Sequence, residues 1–600
     1  MRSSVLTYAA CVHFSKSEIR STKSEANPNP QGTNAQNACI SQPSRRFRNL
    51  RKVVACFWTW DFGHWDLLRI SDFELRICLR WRSTSMGLNY AYPAYDVALT
   101  PPMFQECLGA AERLLADVGF LVRHEKFRNA VAGMNGLILD GERIRFHPSL
   151  IQANLEKILA DRRRRLLAEQ ERETSDPDWK VSTGGFSMAV IDVQTDEVRP
   201  ATCQDLRDLI RLMDSYGIGG SYPVMPQDIP AMMQAIACFK TCWESSDKVR
   251  PYDYQNIHQT DYIYEMHKVM GKTFTVTLTV TQPMALSEHD LDIFLKFFPE
   301  WRRGAAINFQ ILDYQMLGVS KPVTTAGCLA LYFAEMLAVY TLFNLFDPGL
   351  EMPVHFGCGH PTDLRSVCWA FGHPRRHLYN YLNWRAPNDL CGVPVTEYRC
   401  QSVLLETSSC ALDEQAAMEK MAAALLGALQ GARHFSYAGN LAVDDLFSGV
   451  QFVMDVEMVN YVKELVQAFQ PPPELLRTDG LYDLLRDVCL GRDEFISHPD
   501  TVRAFRKLLP CSDLLYREKL RQWLAHRKTF KDRARAECLR RLSEHRSAFQ
   551  LPEDKQKALD EIYRSAEAHL LADATSRRVS PSGEDAASTR HLLDRDSNNA

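Results

Sequence analysis

Between residues 101 and 119 the apolar positions Leu108, Ala111, Leu115 and Val118 recur at helical spacing, and Gly119 supplies a left-handed stop. The run GLILDGERIRFHP then sets Asp140-Gly141 between two strand-like halves, which predicts a tight hairpin. A helix is expected from Pro148 to about residue 173. Its DRRRRLLAEQERE stretch interleaves acids and bases at helical spacing, so it reads as a solvated face rather than an anion site. Beyond Asp176 the pattern alternates. Short β-rich runs fall at 186–193, 217–224, 273–282, 305–312, 353–357, 393–399 and 432–437. Helical stretches fall at 203–216, 228–242, 290–298, 324–346, 362–372 and 413–429. Repeated strand-helix units over this length predict an α/β fold with a parallel sheet, closed as a (β/α)8 TIM barrel over residues 176–457. The region 86–175 forms a helix-hairpin-helix start. After Asp455 the chain turns helical, giving a C-terminal helical region over 458–572 and a polar, aperiodic tail over 573–600 that is expected to be disordered.

Residues 1–85 carry a polar stretch and a tryptophan-dense run with no period linking them. They are expected to be a disordered extension or wrongly included upstream sequence, with Met86 as a plausible start. The longest apolar stretch, 324–346, holds Glu335 near its middle. A carboxylate at that depth is costly in lipid, so the stretch reads as a buried helix and no membrane is expected. A formal charge of −4 gives no electrostatic reason for a nucleic-acid partner. The 17 cysteines include no CxxC pair, which argues against a disulfide framework and for a reducing, cytoplasmic setting.

Candidate chemistry collects at predicted strand ends, the catalytic face of a parallel barrel. The segment VHFGCGHPTDLRSVCWAFGHPRRH places His355, Phe356, Cys358 and His360 there. His355, Cys358 and His360 are zinc-ligand types, but a strand sends alternate residues to opposite faces and no catalytic zinc spacing is matched, so no metal is expected. Asp313, Glu406 and Asp413 also lie near strand ends. Asp413, preceding Glu414 and an Ala-rich helix, reads best as a helix N-cap. Aromatic residues including Tyr222 and Phe356 suit a quaternary ammonium, which donates no hydrogen bond and is attracted by ring quadrupoles.

Several segments in order, AAERLLADVGFLV, STGGFSMAVIDVQTDEVRPATCQDLRDLIRLMD, GVSKPVTTAGCLALYFAEMLA, ETSSCALDEQAAMEKMAAALLGALQGARHFSYAGNL and GRDEFISHPDTVRAFRKLLP, resemble the trimethylamine methyltransferase family over about residues 95–570. The resemblance implies a barrel enzyme that moves a methyl group from an amine to the Co(I) centre of a corrinoid (cobalamin) carried by a separate corrinoid-binding protein. Archaeal members use pyrrolysine in the segment that here reads TSSCALDEQAAMEK. Cys410 or a neighbour stands where pyrrolysine would be, followed by Asp413, Gln415, Glu419 and Lys420 in the family's order. The departure implies the pyrrolysine-free branch, which acts on quaternary amines such as glycine betaine. The expected catalytic residues are Asp313, His355, Glu406 and Cys410, and the expected substrate-binding residues are Gly220, Tyr222, Gln282, Phe356 and His360. A homo-oligomer is possible. Two other functions fit the same residues: a metal-dependent barrel hydrolase or lyase, and an inactive barrel that binds methylamines.

Overall fold

The computed structural model describes residues 101–172, 178–251, 256–313, 315–350, 352, 359–392, 402–468, 473–509 and 511–578. The stretch 1–85, the strands expected at 353–357 and 393–399, and His355, Phe356 and Cys358 lie outside these residues.

The first helix, Pro101–Asp117, buries Phe104, Leu108, Ala111 and Leu115 against the core, whereas Val118 is exposed. Gly119 ends it with φ 76°, and a Cβ there would stand 2.6 Å from the Ile144 carbonyl oxygen, so the position requires glycine for both conformation and space. Strands Leu137–Asp140 and Arg143–Phe146 form the expected antiparallel hairpin, with Gly141 left-handed at the turn. Helix Pro148–Arg172 follows.

The apolar helix Thr325–Phe346 has the length and hydropathy to cross a membrane, yet 72% of its most apolar window is buried inside the fold, where it packs against Pro101–Asp117. The same core cluster holds strand Phe274–Gln282, whose sequence FTVTLTVTQ alternates apolar residues with threonines. Phe274, Val276, Leu278 and Val280 all turn inward, the period of a half-buried strand. This strand runs parallel to Ile307–Asp313, from Phe274 opposite Ile307 to Val280 opposite Asp313.

A second series of parallel neighbours joins Val403–Leu404 to His434–Ser436, and His434–Ser436 to Lys180–Val181. Thr183 then bridges Gly220, and Gly220 bridges Val249, again in parallel. The described strands make four sheets, and none closes on itself among the described residues, so the architecture is a mixed α/β fold with helices and several small sheets.

Two expectations need correction. Residues 362–372 are not a helix: Thr362–Asp363 and Cys368–Trp369 pair as an antiparallel hairpin. Asp363 accepts the Arg365 backbone N–H and clamps its guanidinium, which closes a turn, and Val367 takes φ 54°. Leu364 and Val367 stay more than half exposed, so no apolar face exists to hold a helix there. The helix lies further on, at Arg376–Cys391. The strand beside His434–Ser436 is Val403–Leu404, and the strand expected at 393–399 lies outside the described residues. The C-terminal region holds helices Gly449–Ala468, Leu481–Cys489, Pro499–Leu508, Leu520–His526, Phe530–Glu544 and Glu553–Arg578. The last of these extends past residue 572 into the stretch expected to lack structure.

Candidate functional site

Asp313 ends strand Ile307–Asp313, and the chain then turns through Met316–Lys321, where the Lys321 N–H donates to the Met316 carbonyl at 3.0 Å. That turn delivers the Lys321 ammonium to a point 2.9 Å from Asp313 Oδ2 and into contact with the Glu335 carboxylate. All three side chains are buried, so two carboxylates share one cation. Glu335 Oε1 also accepts the Met284 N–H at 2.9 Å. Burial and the nearby Asp313 charge push the Glu335 carboxyl up to about 8, against the pull of Lys321. Burial raises Asp313 as well. The Tyr332 ring lies 5.9 Å from the Lys321 ammonium, and its hydroxyl is pushed upward by burial and by Asp313.

Glu406 follows strand Val403–Leu404 and is buried against Arg376, whose guanidinium contacts its carboxylate, donates to the Phe371 carbonyl at 3.2 Å and stacks on the Phe371 ring at 4.4 Å. The same ring meets His360 edge-on at 5.3 Å. His360 in turn donates its backbone N–H to the Gln315 carbonyl at 2.7 Å, two residues beyond Asp313. Burial and the Arg376 charge push the His360 imidazole down to about 3, so it stays neutral at ordinary pH. Glu406 and His360 are therefore linked by a continuous set of contacts through Arg376 and Phe371, and His360 is bonded to the backbone two residues beyond Asp313.

The residues after Glu406 are held in place from the helix Glu414–Leu429. Asp413 caps it, accepting the Ala416 N–H at 2.9 Å, and also accepts the Ser409 hydroxyl at 2.7 Å. Glu419 accepts the Thr407 hydroxyl at 2.5 Å, the Ser408 N–H at 2.9 Å and the Gln415 amide at 2.9 Å. Lys420, fully buried, reaches Asp455 at 2.6 Å, and Asp455 also accepts the Gly439 N–H at 2.7 Å and the Gln451 amide at 2.7 Å. Asp413 and Glu419 thus frame the loop 407–410, Gln415 braces Glu419, and Lys420 is committed to Asp455. Cys410 sits on that loop and is exposed.

A second strut meets the loop from the other side. The N–H groups of Ala442 and Val443 donate to the Ser409 and Thr407 carbonyls at 2.7 and 2.9 Å. Ala442, Val443 and Asp444 have φ of 49°, 72° and 134°, three successive non-glycine residues outside the usual regions. Such backbone persists only where surrounding contacts impose it, and it concentrates at functional sites. Burial, together with the Glu406 and Asp445 charges, pushes the Asp444 carboxyl up to about 7. Arg376 balances Glu406 and Lys420 balances Asp455, which leaves Asp444 and Glu419 as surplus carboxylates. The arrangement favours a cation over an anion.

The remaining expected residues fall elsewhere. Gly220 lies between two strand segments with φ 141°, and a Cβ would stand 2.6 Å from the Thr183 nitrogen, so its role here is close strand approach. Tyr222 is buried in the core around Leu206, Val224 and Phe435. Gln282 ends its strand opposite Ala285. Among the described residues, no three His, Cys, Asp or Glu side chains gather as a metal site. Sequence reasoning missed Lys321, Glu335, Arg376 and Asp444 as site residues. Glu335 carried a signal, a lone carboxylate in an apolar helix. Asp444 carried none.

A mixed α/β protein with buried, carboxylate-rich clusters beyond its parallel strands is a class that hosts many chemistries. Comparison with known proteins narrows it. The family profile for trimethylamine methyltransferase (MTTB) matches residues 88–569, and the chain belongs to that family. Trimethylamine methyltransferase MttB of Desulfitobacterium hafniense is 24% identical over 404 residues, covering 64% of this chain and 76% of that protein. Trimethylamine methyltransferase MttB2 of Methanosarcina mazei is 30% identical over 211 residues, 35% of this chain. The matched region spans 40% of the length of that relative.

Proposed function

We propose that this chain is a methyltransferase that moves a methyl group from a quaternary or tertiary methylamine, betaine-like in the first instance, to the Co(I) centre of a corrinoid held by a partner protein. Family membership over residues 88–569 supports the reaction class, and the surplus of buried carboxylate around Glu406 and Asp444 supports a cationic substrate. The finer architecture we infer is a closed (β/α)8 barrel. Its support is the parallel pairing of a late strand, His434–Ser436, with the early strand Lys180–Val181, a contact an open sheet wound in chain order lacks.

The corrinoid, when its carrier docks, supplies a strong nucleophile. The chain's own task is binding and orientation. In the donor the C–N bond breaks with its electron pair remaining on nitrogen, so a quaternary substrate leaves as a neutral tertiary amine without needing a proton. Asp444 and Glu419 supply negative charge to hold the cation. The framed loop 407–410, pinned from helix Glu414–Leu429 and from Ala442–Asp444, fixes the position of the group beside it, the contribution of proximity and orientation. By the resemblance, Cys410 or a neighbour stands where archaeal members use pyrrolysine, which favours a donor that is already an electrophile.

The test is to mix the protein with a reduced corrinoid protein and either glycine betaine or trimethylamine while following the cobalt absorption. Loss of the reduced-cobalt spectrum with glycine betaine, and not with trimethylamine, is the expected result. No change with any methylated amine refutes the reading.

A further inference from the structure

Strands Asn440–Leu441 and Leu446–Phe447 form an antiparallel hairpin, and the residues between them read AVDD. A tight hairpin turn ordinarily places Gly, Asn or Asp where φ is positive. Here Ala442 and Val443 take positive φ along with Asp444, so turn chemistry does not account for the backbone and contacts from outside the turn must. The bonds from Ala442 and Val443 to the loop 407–410 hold two of the three residues. Asp444, the one with the surplus charge, is held from another direction: the Ser187 hydroxyl donates to its carbonyl oxygen at 2.6 Å.

Ser187 is buried and its backbone is fixed on both sides. It bridges Val224 in parallel, its carbonyl accepts the Met225 N–H at 2.9 Å, and two residues on the Ala189 N–H donates to the Asp445 carbonyl at 3.2 Å. The direction of its hydroxyl is fixed as well. Asn440, 1% exposed, brings its side-chain nitrogen to 3.3 Å from Ser187 Oγ. Ser187 has one hydroxyl hydrogen, and the bond to the Asp444 carbonyl uses it. Towards Asn440 the oxygen can only accept, so the Asn440 NH2 must face Ser187 and Asn440 Oδ1 must face away. Oδ1 is buried and has no hydrogen-bond partner among the described residues. An unpaired buried acceptor is unfavourable, and the chain retains it while keeping the Ser187 donor aimed at Asp444. Gly185 closes the group: a Cβ there would stand 2.7 Å from Asn440 Nδ2 and 3.1 Å from Asp444 Cβ, so both residues pack over a position without a side chain.

We propose that Ser187, oriented by Asn440, is a positioning residue that fixes the Asp444 carboxylate beside the cationic methyl donor. The inference rests on the reading of Asp444 as a holder of that cation. Glu406 and Asp445 are the charged groups that act on Asp444, whereas Gly185, Ser187 and Asn440 bring no charge to it. With the Ser187 hydroxyl gone, the turn relaxes and the carboxylate moves towards water, where it ionises at lower pH.

The test uses the full chain and two readouts. The first needs no ligand: urea midpoints across a pH series, each taken with and without Asp444→Asn. Asp444 is raised to about 7 from an ordinary 3.8, so its contribution to stability is complete below about 3.8 and is lost as pH rises through about 7, where the difference between the two chains levels off. In a Ser187→Ala background the levelling point is expected to fall by about one pH unit or more. The second readout is calorimetric binding of glycine betaine, expected to weaken about tenfold in Ser187→Ala. Ser187→Cys, which keeps a weak donor, is expected to recover part of both. Ser182→Ala, on the same segment, removes a hydroxyl bonded to His434 at 2.8 Å and is expected to change neither. An unmoved levelling point, an unaltered betaine affinity in Ser187→Ala, or an equal effect of Ser182→Ala overturns the proposal. A moved levelling point in a protein that binds no betaine refutes the donor assigned above and leaves the hold of Ser187 on Asp444 standing.

Discussion

Replacing Glu335 with glutamine isolates the charge of the buried lysine cluster while keeping its shape. The Glu335 carboxyl is raised to about 8 from an ordinary 4.5, so the folded chain favours its protonated form. A folded-state value above the unfolded one means the contribution to stability is complete below about pH 4.5 and is lost as pH rises through about 8. Over that window the loss is about 5 kcal/mol, at about 1.4 kcal/mol for each tenfold change in proton concentration. Glu335→Gln removes the titrating group, and its amide oxygen can still accept the Met284 N–H. Near the acid end the variant is expected to lose only about 1 kcal/mol, the cost of one altered hydrogen bond. Towards alkaline pH it is expected to overtake the unmodified protein, because Lys321 then faces Asp313 alone. The assay is the urea midpoint, followed by tryptophan fluorescence at a series of pH values between those ends. If the two profiles run parallel across the range, Glu335 does not carry the strained charge assigned to it.

Removing the cation instead has the opposite consequence. Lys321→Met leaves Asp313 and Glu335 facing each other without a counter-charge and is expected to cost about 3–5 kcal/mol, read from the same urea midpoint. Asp444 titrates near 7, so calorimetric binding of glycine betaine is expected to strengthen as pH rises through that value. Asp444→Asn should flatten the dependence and weaken binding about tenfold, equivalent to about 1.4 kcal/mol. Gly220→Ala places a methyl within 2.6 Å of the Thr183 backbone, which cannot move aside without parting two strands. A loss of about 1–3 kcal/mol or more is expected there. Gly141→Ala, left-handed but with open space around it, should cost only about 1 kcal/mol, and equal thermal shifts for the two would contradict the packing argument.

The parts of the fold legible in the sequence are those where period and burial agree. FTVTLTVTQ alternates because one face meets the core, and the helix 325–346 is apolar all round because it is enclosed. The hairpin at Asp140-Gly141 is set by local turn chemistry alone. Strands Lys180–Val181 and Val403–Leu404 were invisible because two residues carry no period, and their identity comes from neighbours far along the chain. Residues 362–372 had the length of a helix, but Asp363 closes a local turn and Leu364 and Val367 find no core. Propensity lost to a side-chain clamp.

The site divides on the same principle. Asp313 was legible because it follows a predicted strand and Glu406 because it lies near the end of one, whereas their cations were not. Lys321 is delivered by a turn and Arg376 by a helix that the sequence placed elsewhere. The segment DEQAAMEK is instructive because it suggests chemistry while its side chains bond the structure around them. Asp413 caps its helix, Glu419 holds Thr407 and Ser408, and Lys420 is fully occupied by Asp455. Two of these side chains, Asp413 and Glu419, are thereby committed to one short loop. A loop held this firmly from one side, and strained into place through Val443 on the other, costs folding energy that a mere connection does not require. The exposed thiol of that loop, Cys410, and the Asp444 carboxyl at the end of the strained segment, near Glu406, are the groups that this rigidity positions, which is why the search for a bound amine belongs there.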